Sequence, residues 1–268
     1  MYLQRMSGDE FMVLILSGFA AASAWYRWYR AVLVRTLVDR NASRPIFVAA
    51  PVVCLMLLYA ILRLWAADDV RSSIYMTLYM VAGAAWVGLI TPASCFLGIS
   101  PRDDAVERQN LAAALATMGA LAGITFCFAG GNVGNGPGWW VVVFSAGLST
   151  IGFLGLWALV EWLTGISELV TVERAVGAGL RLGGFLVGTG LILGRCVAGD
   201  WVSAEATVMD FTVMAWPAVT LAGGAIIVER FWPFGVNTGT EDAAAGLLIA
   251  AVYVVVSFLY VFVVQGMP

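Results

Sequence analysis

The chain has no histidine and no lysine among its 268 residues, and only four cysteines. Without histidine, the usual axial ligand of haem and the commonest ligand of zinc or copper is missing, so no metal or other cofactor is expected. The cysteines, Cys54, Cys95, Cys127 and Cys196, each lie in or beside a different apolar segment, and no two have CxxC spacing. They read as small buried hydrophobes and not as ligands or disulfides. Charge is scarce as well: 12% of residues are Asp, Glu, Lys or Arg, against roughly 25% in a soluble domain. No nucleophile motif and no phosphate-binding loop are found, so catalysis is not expected.

What fills the chain is apolar sequence, 61% of all residues. The polar residues sit in short gaps between runs long enough to cross a bilayer. Eight spans are predicted, near Glu10–Tyr29, Pro45–Ala66, Ile74–Leu97, Leu111–Gly130, Trp139–Trp162, Ala175–Ala198, Val208–Val228 and Ala243–Met267. At 1.5 Å per residue, about 20 residues cross a hydrocarbon core of about 30 Å. Each run must be a helix, because an isolated segment satisfies its backbone in lipid no other way. The fold class expected is therefore all-α, a polytopic transmembrane helical bundle. Phe11 to Ala24 resembles a signal-peptide core, but the aromatic and basic stretch Trp25 to Arg30 follows at once, and a retained first span is expected.

All positive charge is arginine, and its placement predicts orientation. Arg27, Arg30, Arg35, Arg40, Arg44, Arg102, Arg108, Arg174 and Arg230 fall in the gaps after spans 1, 3, 5 and 7, whereas Arg5, Arg63, Arg71 and Arg195 fall on the other side. Both termini are thus expected on the outer, periplasmic face. The first loop, Arg27 to Arg44, interleaves arginines with Trp28, Tyr29, Val32, Leu33 and Leu37. It reads as a positive-inside signal, with an interfacial helix against anionic lipid as the alternative. Nucleic-acid binding is not expected.

An internal repeat is the most specific organisation. Ala82-Gly83-Ala84-Ala85-Trp86-Val87-Gly88 recurs as Ala146-Gly147-Leu148-Ser149-Thr150-Ile151-Gly152. Glu107-Arg108-Gln109-Asn110-Leu111 corresponds to Glu173-Arg174-Ala175-Val176-Gly177, with Glu241-Asp242-Ala243 a weaker third copy. Residues 74–268 then form a six-helix region of three tandem hairpins of about 60 residues, with residues 1–73 an unrelated pair of helices bearing the arginine-rich loop. The acidic residue, then Asn110, then spaced Ala and Gly opening a membrane helix, in tandem hairpins, resembles the YjfL-type family of uncharacterised bacterial inner-membrane proteins. That resemblance implies a multi-pass bacterial inner-membrane location and brings no activity.

Three constellations are candidate sites. Gly179, Gly183, Gly184, Gly188, Gly190 and Gly194 run along span 6, and Gly119 and Gly123 along span 4. Small residues at four-residue spacing let helix backbones approach closely in lipid, within one bundle or between subunits. Arg181 lies about two turns inside span 6, where an unpaired charge costs at least a few kcal/mol. It is expected either to snorkel or to pair with Glu161, with Glu229 the next choice. The third is the loop from Gly130 to Trp140 between spans 4 and 5. It is either a tight hairpin or, through Asn132, Asn135, Trp139 and Trp140, a loop that dips into the bundle or docks a partner. The function expected is a non-enzymatic structural or accessory subunit of a bacterial membrane assembly, with a channel or small-ion transporter as the alternative. The expected partners are the lipid bilayer, further copies of the chain or other membrane subunits.

Overall fold

The computed structural model describes residues 6–35, 44–231 and 240–265. The chain is all-helical over these residues: α1 (Gly8–Arg35), α2 (Arg44–Trp65), α3 (Ser73–Ile90), α4 (Leu111–Gly130), α5 (Trp139–Thr164), the short α6 (Ile166–Thr171), α7 (Val176–Cys196), α8 (Ala204–Met214), α9 (Trp216–Phe231) and α10 (Thr240–Leu259). Among the described residues, seven segments are long and apolar enough to cross a membrane, and they match expected spans 2 to 8. The expected first span, α1, is a 28-residue helix but not one of the seven. Its apolar part gives way at Trp25 to an aromatic and arginine-bearing stretch.

The helix ends follow from local chemistry. Asn110 sits before α4 in extended backbone, and its side-chain oxygen accepts from the Ala112 and Ala113 N–H groups, satisfying two donors that a helix start leaves without a partner. Its amide also donates to the Val170 carbonyl at 2.7 Å, so one side chain caps α4 and ties it to α6. Gly165, at φ 64°, closes α5 in a left-handed turn. Two prolines sit at breaks in the expected spans. Pro92 opens the tight turn Thr91–Leu97 that ends α3, and Pro217 follows Ala215, where the seventh expected span divides into α8 and α9. A proline has no N–H to continue the helical ladder.

At the centre α7 packs on α4, α10, α5 and α9, while α1 lies against α3 at one edge. Most of α4 and α7 is buried, whereas α8, α9 and α10 keep wide apolar faces exposed, among them Met209, Val213, Val219, Val252, Val255 and Leu259. In a bilayer such faces meet lipid or a neighbouring protein without penalty.

Candidate functional site

The charged centre forms where α7, α9 and α10 meet. Arg181 is 1% exposed and therefore does not snorkel. Its guanidinium clasps Glu229 in a two-pronged fork, Nε to Oε1 at 2.6 Å and Nη2 to Oε2 at 2.9 Å. Its Nη1 lies 3.6 Å from Asp242 Oδ1. The expected pair with Glu161 does not form: that carboxylate accepts from the Ser167 N–H and hydroxyl at 3.0 and 2.6 Å, folding the α5–α6 corner on itself. The reason is geometric. Glu161 is held by its own turn, while Glu229 ends a helix that packs directly on α7.

Asp242 has a second task. Its Oδ2 accepts from the Gly177 N–H at 2.9 Å, and Ala175, the residue before α7, makes no side-chain cap. The start of α7 is thus capped from α10, as α4 is capped by its own Asn110, and a carboxylate suits the positive end of a helix dipole. Tyr253 of α10 stands edge-on to Phe185 at 6.5 Å and is close enough to feel the charges of Glu229 and Arg181. Its buried hydroxyl has no hydrogen-bond partner among the described residues. Arg181, Glu229 and Asp242 thus stand together in a buried cluster, one guanidinium between two carboxylates.

The glycine faces are spent inside the chain. A side-chain carbon on Gly179 would strike the backbone of Ala112, one on Gly190 the backbone of Gly123, and one on Gly194 the backbone of Phe126. Gly119 meets Gly183, Gly183 meets Leu115, and Gly123 meets Phe153 and Leu186. On the far side of α7, Gly184 meets Ala250, and Gly188 meets Ser257 and Tyr253. Helix α7 is gripped from two sides, by α4 and α10.

The glycine-rich loop is likewise engaged at home. Asn132 is buried and donates to the Phe128 carbonyl at 2.8 Å. Asn135 gives its backbone N–H and its side-chain amide to Asp200 Oδ1 at 2.7 and 2.9 Å. The loop runs beside the α7–α8 connection through Gly199 N–H to the Val133 carbonyl and Trp201 N–H to the Asn135 carbonyl, both 2.8 Å. Trp139 donates to Asp9 at 3.0 Å, and Trp140 stands edge-on to Trp201 at 5.1 Å. The hydrogen bonds from Asn135 hold the Asp200 carboxyl below its ordinary range.

Two cavities open at opposite ends of α1. One, of about 270 Å³, lies under the glycine-rich loop and is lined by Glu10, Asp69, Tyr75 and Asn132. The Tyr75 hydroxyl donates to the Glu10 carboxylate there at 3.0 Å. The other, of about 640 Å³, lies at the arginine-bearing end, between the C-terminal half of α1 and the exit from α3. Among the described residues, no group of three His, Cys, Asp or Glu stands close enough to hold a metal ion.

Sequence reasoning found Arg181 and the glycines and missed Asp242. The only signal was its place in an acidic pair at the start of the last apolar run. No protein-family model, curated protein or solved structure matches the chain.

Proposed function

We propose that this chain is a non-enzymatic, multi-pass protein of the bacterial inner membrane that serves as a structural or accessory subunit of a membrane assembly, and that it is related to the YjfL-type proteins. The observation that carries the reading is the closure of its centre. The glycines of α7 touch the backbones of α4 and α10, and Arg181 is neutralised by Glu229 within the same chain. A centre closed in this way suits a rigid scaffold, whose outward apolar faces on α8, α9 and α10 are free to meet other subunits.

Tandem hairpins fit the backbone. Gln109 and Arg174 share an unusual positive φ, 55° and 57°, and each precedes the residue that begins a core helix. The turns before them match bond for bond: Arg108 N–H to the Asp103 carbonyl and Asn110 to Asp104, against Glu173 to Glu168 and Ala175 to Leu169. This aligns Arg108 with Glu173, one residue off the alignment read from sequence. Three tertiary contacts join residues 65 apart, Glu10 with Tyr75, Asn135 with Asp200 and Gly177 with Asp242. The starts of α1, α3, α5 and α8 keep nearly the same interval, which supports including α1 and α2 as a first hairpin of the series, with α1 an eighth span and both termini periplasmic.

A channel or small-ion transporter is the second reading, favoured by the second carboxylate beside Arg181. The deciding experiment is purification in mild detergent, followed by reconstitution into liposomes. A stoichiometric protein partner and no ion flux are expected; a chain that purifies alone and conducts cations overturns the scaffold reading.

A further inference from the structure

The larger cavity has the construction of a lipid site. Among the described residues, its basic ones are Arg27, Arg30 and Arg102, and no carboxylate lines it. Arg27 and Arg30 are three residues apart on α1, so both project from one helix face; Arg102 comes from the turn that follows Pro101. All three are exposed. Arg27 spends its Nε on the Ser23 carbonyl at 3.3 Å, and Arg102 spends its Nε on Glu107 at 3.0 Å. The terminal guanidinium nitrogens of Arg27 enter no hydrogen bond or ion pair among the described residues.

Below the arginines the wall is apolar. The Trp25 and Trp28 indoles donate to the Ala84 and Phe47 carbonyls at 2.9 and 3.0 Å. With their N–H groups bonded to the protein, both rings offer only carbon surface to an occupant. Trp28 stacks obliquely on Phe47 at 5.2 Å. The floor closes where Gly88 meets Ala24 and Trp25. Tyr26, Leu89 and Phe96, each next in sequence to a lining residue, are exposed, Phe96 by 91%, so exposed apolar surface adjoins the cleft.

We propose that this cleft binds one anionic phospholipid, with its phosphate on Arg27, Arg30 and Arg102 and its upper acyl chain along Trp25, Trp28 and Phe47. Charge complementarity selects the headgroup: Arg27 and Arg30 have no ion pair among the described residues, and only Arg102 is shared, with Glu107 and Asp103. The adjoining apolar surface selects a lipid over a soluble anion, which would leave that surface uncovered. The volume lies within the roughly 300–1,000 Å³ of small-molecule sites, enough for a headgroup and the first carbons of a chain, while the rest of the lipid stays in the bilayer.

The test is native mass spectrometry of the delipidated full chain, incubated with equal amounts of phosphatidylglycerol and phosphatidylcholine. The wild-type chain is expected to retain one phosphatidylglycerol in preference to phosphatidylcholine. Arg27→Gln with Arg30→Gln should weaken that preference roughly fivefold per arginine, the factor that about 1 kcal/mol per basic residue corresponds to. Equal retention of the two lipids by the wild type, or an unchanged preference in the double variant, overturns the proposal. So does complete displacement of the lipid by an equal concentration of glycerol 3-phosphate, which would make the ligand a soluble anion. Should the double variant not fold, Arg102→Gln, a change in an exposed turn, takes its place and is expected to show the single fivefold loss.

Discussion

The centre of the bundle and its α1–α3 edge solve the same problem by opposite means. In the centre, α7 meets α4 and α10 through glycine, backbone against backbone, and its buried Arg181 is answered by carboxylates within the protein. At the edge, α1 meets its neighbours through tryptophans that reach across and donate to carbonyls, Trp25 to Ala84 and Trp28 to Phe47, and among the described residues no carboxylate lines the cleft of the arginines there. Glycine contact excludes everything, including water and lipid. Contact through large side chains holds helices together but leaves clefts between them, and those clefts take their character from whatever charge stands at the mouth.

The largest effect that tests this contrast is at Arg181. Arg181→Ala should cost about 3–5 kcal/mol, because it strands two carboxylates in a dry setting. Arg181→Ala combined with Glu229→Ala should cost clearly less than the single change. Thermal denaturation in detergent measures both, and simple additivity would mean that the centre is wetter than its closure implies.

A smaller effect, but one with a change of sign, separates the two regions through alanine. Gly190→Ala places a methyl against the Gly123 backbone and should destabilise by about 1–3 kcal/mol, the usual cost of overpacking. Gly18→Ala on α1 has only the Val81 side chain near it, at 3.9 Å. It should be neutral or stabilise by up to about 1 kcal/mol, as alanine replaces glycine inside a helix. If both variants melt alike, the centre is no more tightly closed than the edge.

The smallest effect belongs to the paired outer loops. The Asp200 carboxyl is lowered by hydrogen bonds from Asn135, so its contribution is present above the ordinary carboxylate pKa of about 3.9 and is lost as pH falls through the lowered value. Hydrogen exchange at the Asn135 and Trp201 amides should therefore rise below about pH 4, and Asp200→Asn should remove that dependence. An unchanged acid profile in the variant would place its origin elsewhere.

Much of the architecture was readable from sequence because lipid demands long apolar helices, and few other signals compete with that demand. The α4 bounds agree with the predicted span, Pro92 and Pro217 stand at breaks, and the glycine faces pack closely. Which helices touch was not readable. Span hydropathy is blind to it: α10 belongs to the most apolar of the seven segments and is among the least buried, while α4 is deep inside. In a soluble protein the polar face of a helix reveals its outside, but here both faces are apolar. That is why Arg181 announces the need for a partner without naming one, why the sequence points to Glu161 ahead of Glu229, and why it does not point to Asp242 at all.

The order of the charges along the chain has a consequence for synthesis. Arg181 precedes Glu229 by 48 residues, and Asp242 comes later still. When α7 leaves the ribosome, neither counter-charge has been made, and its first turn has no cap from α10. The helix is therefore expected to hold its arginine near the aqueous edge until α9 and α10 are made to receive it. Insertion of the last three apolar segments should then be coupled: a nascent chain cut short after Cys196 is expected to leave α7 poorly committed to the bilayer, which protease protection of the truncated chain in membrane vesicles would measure.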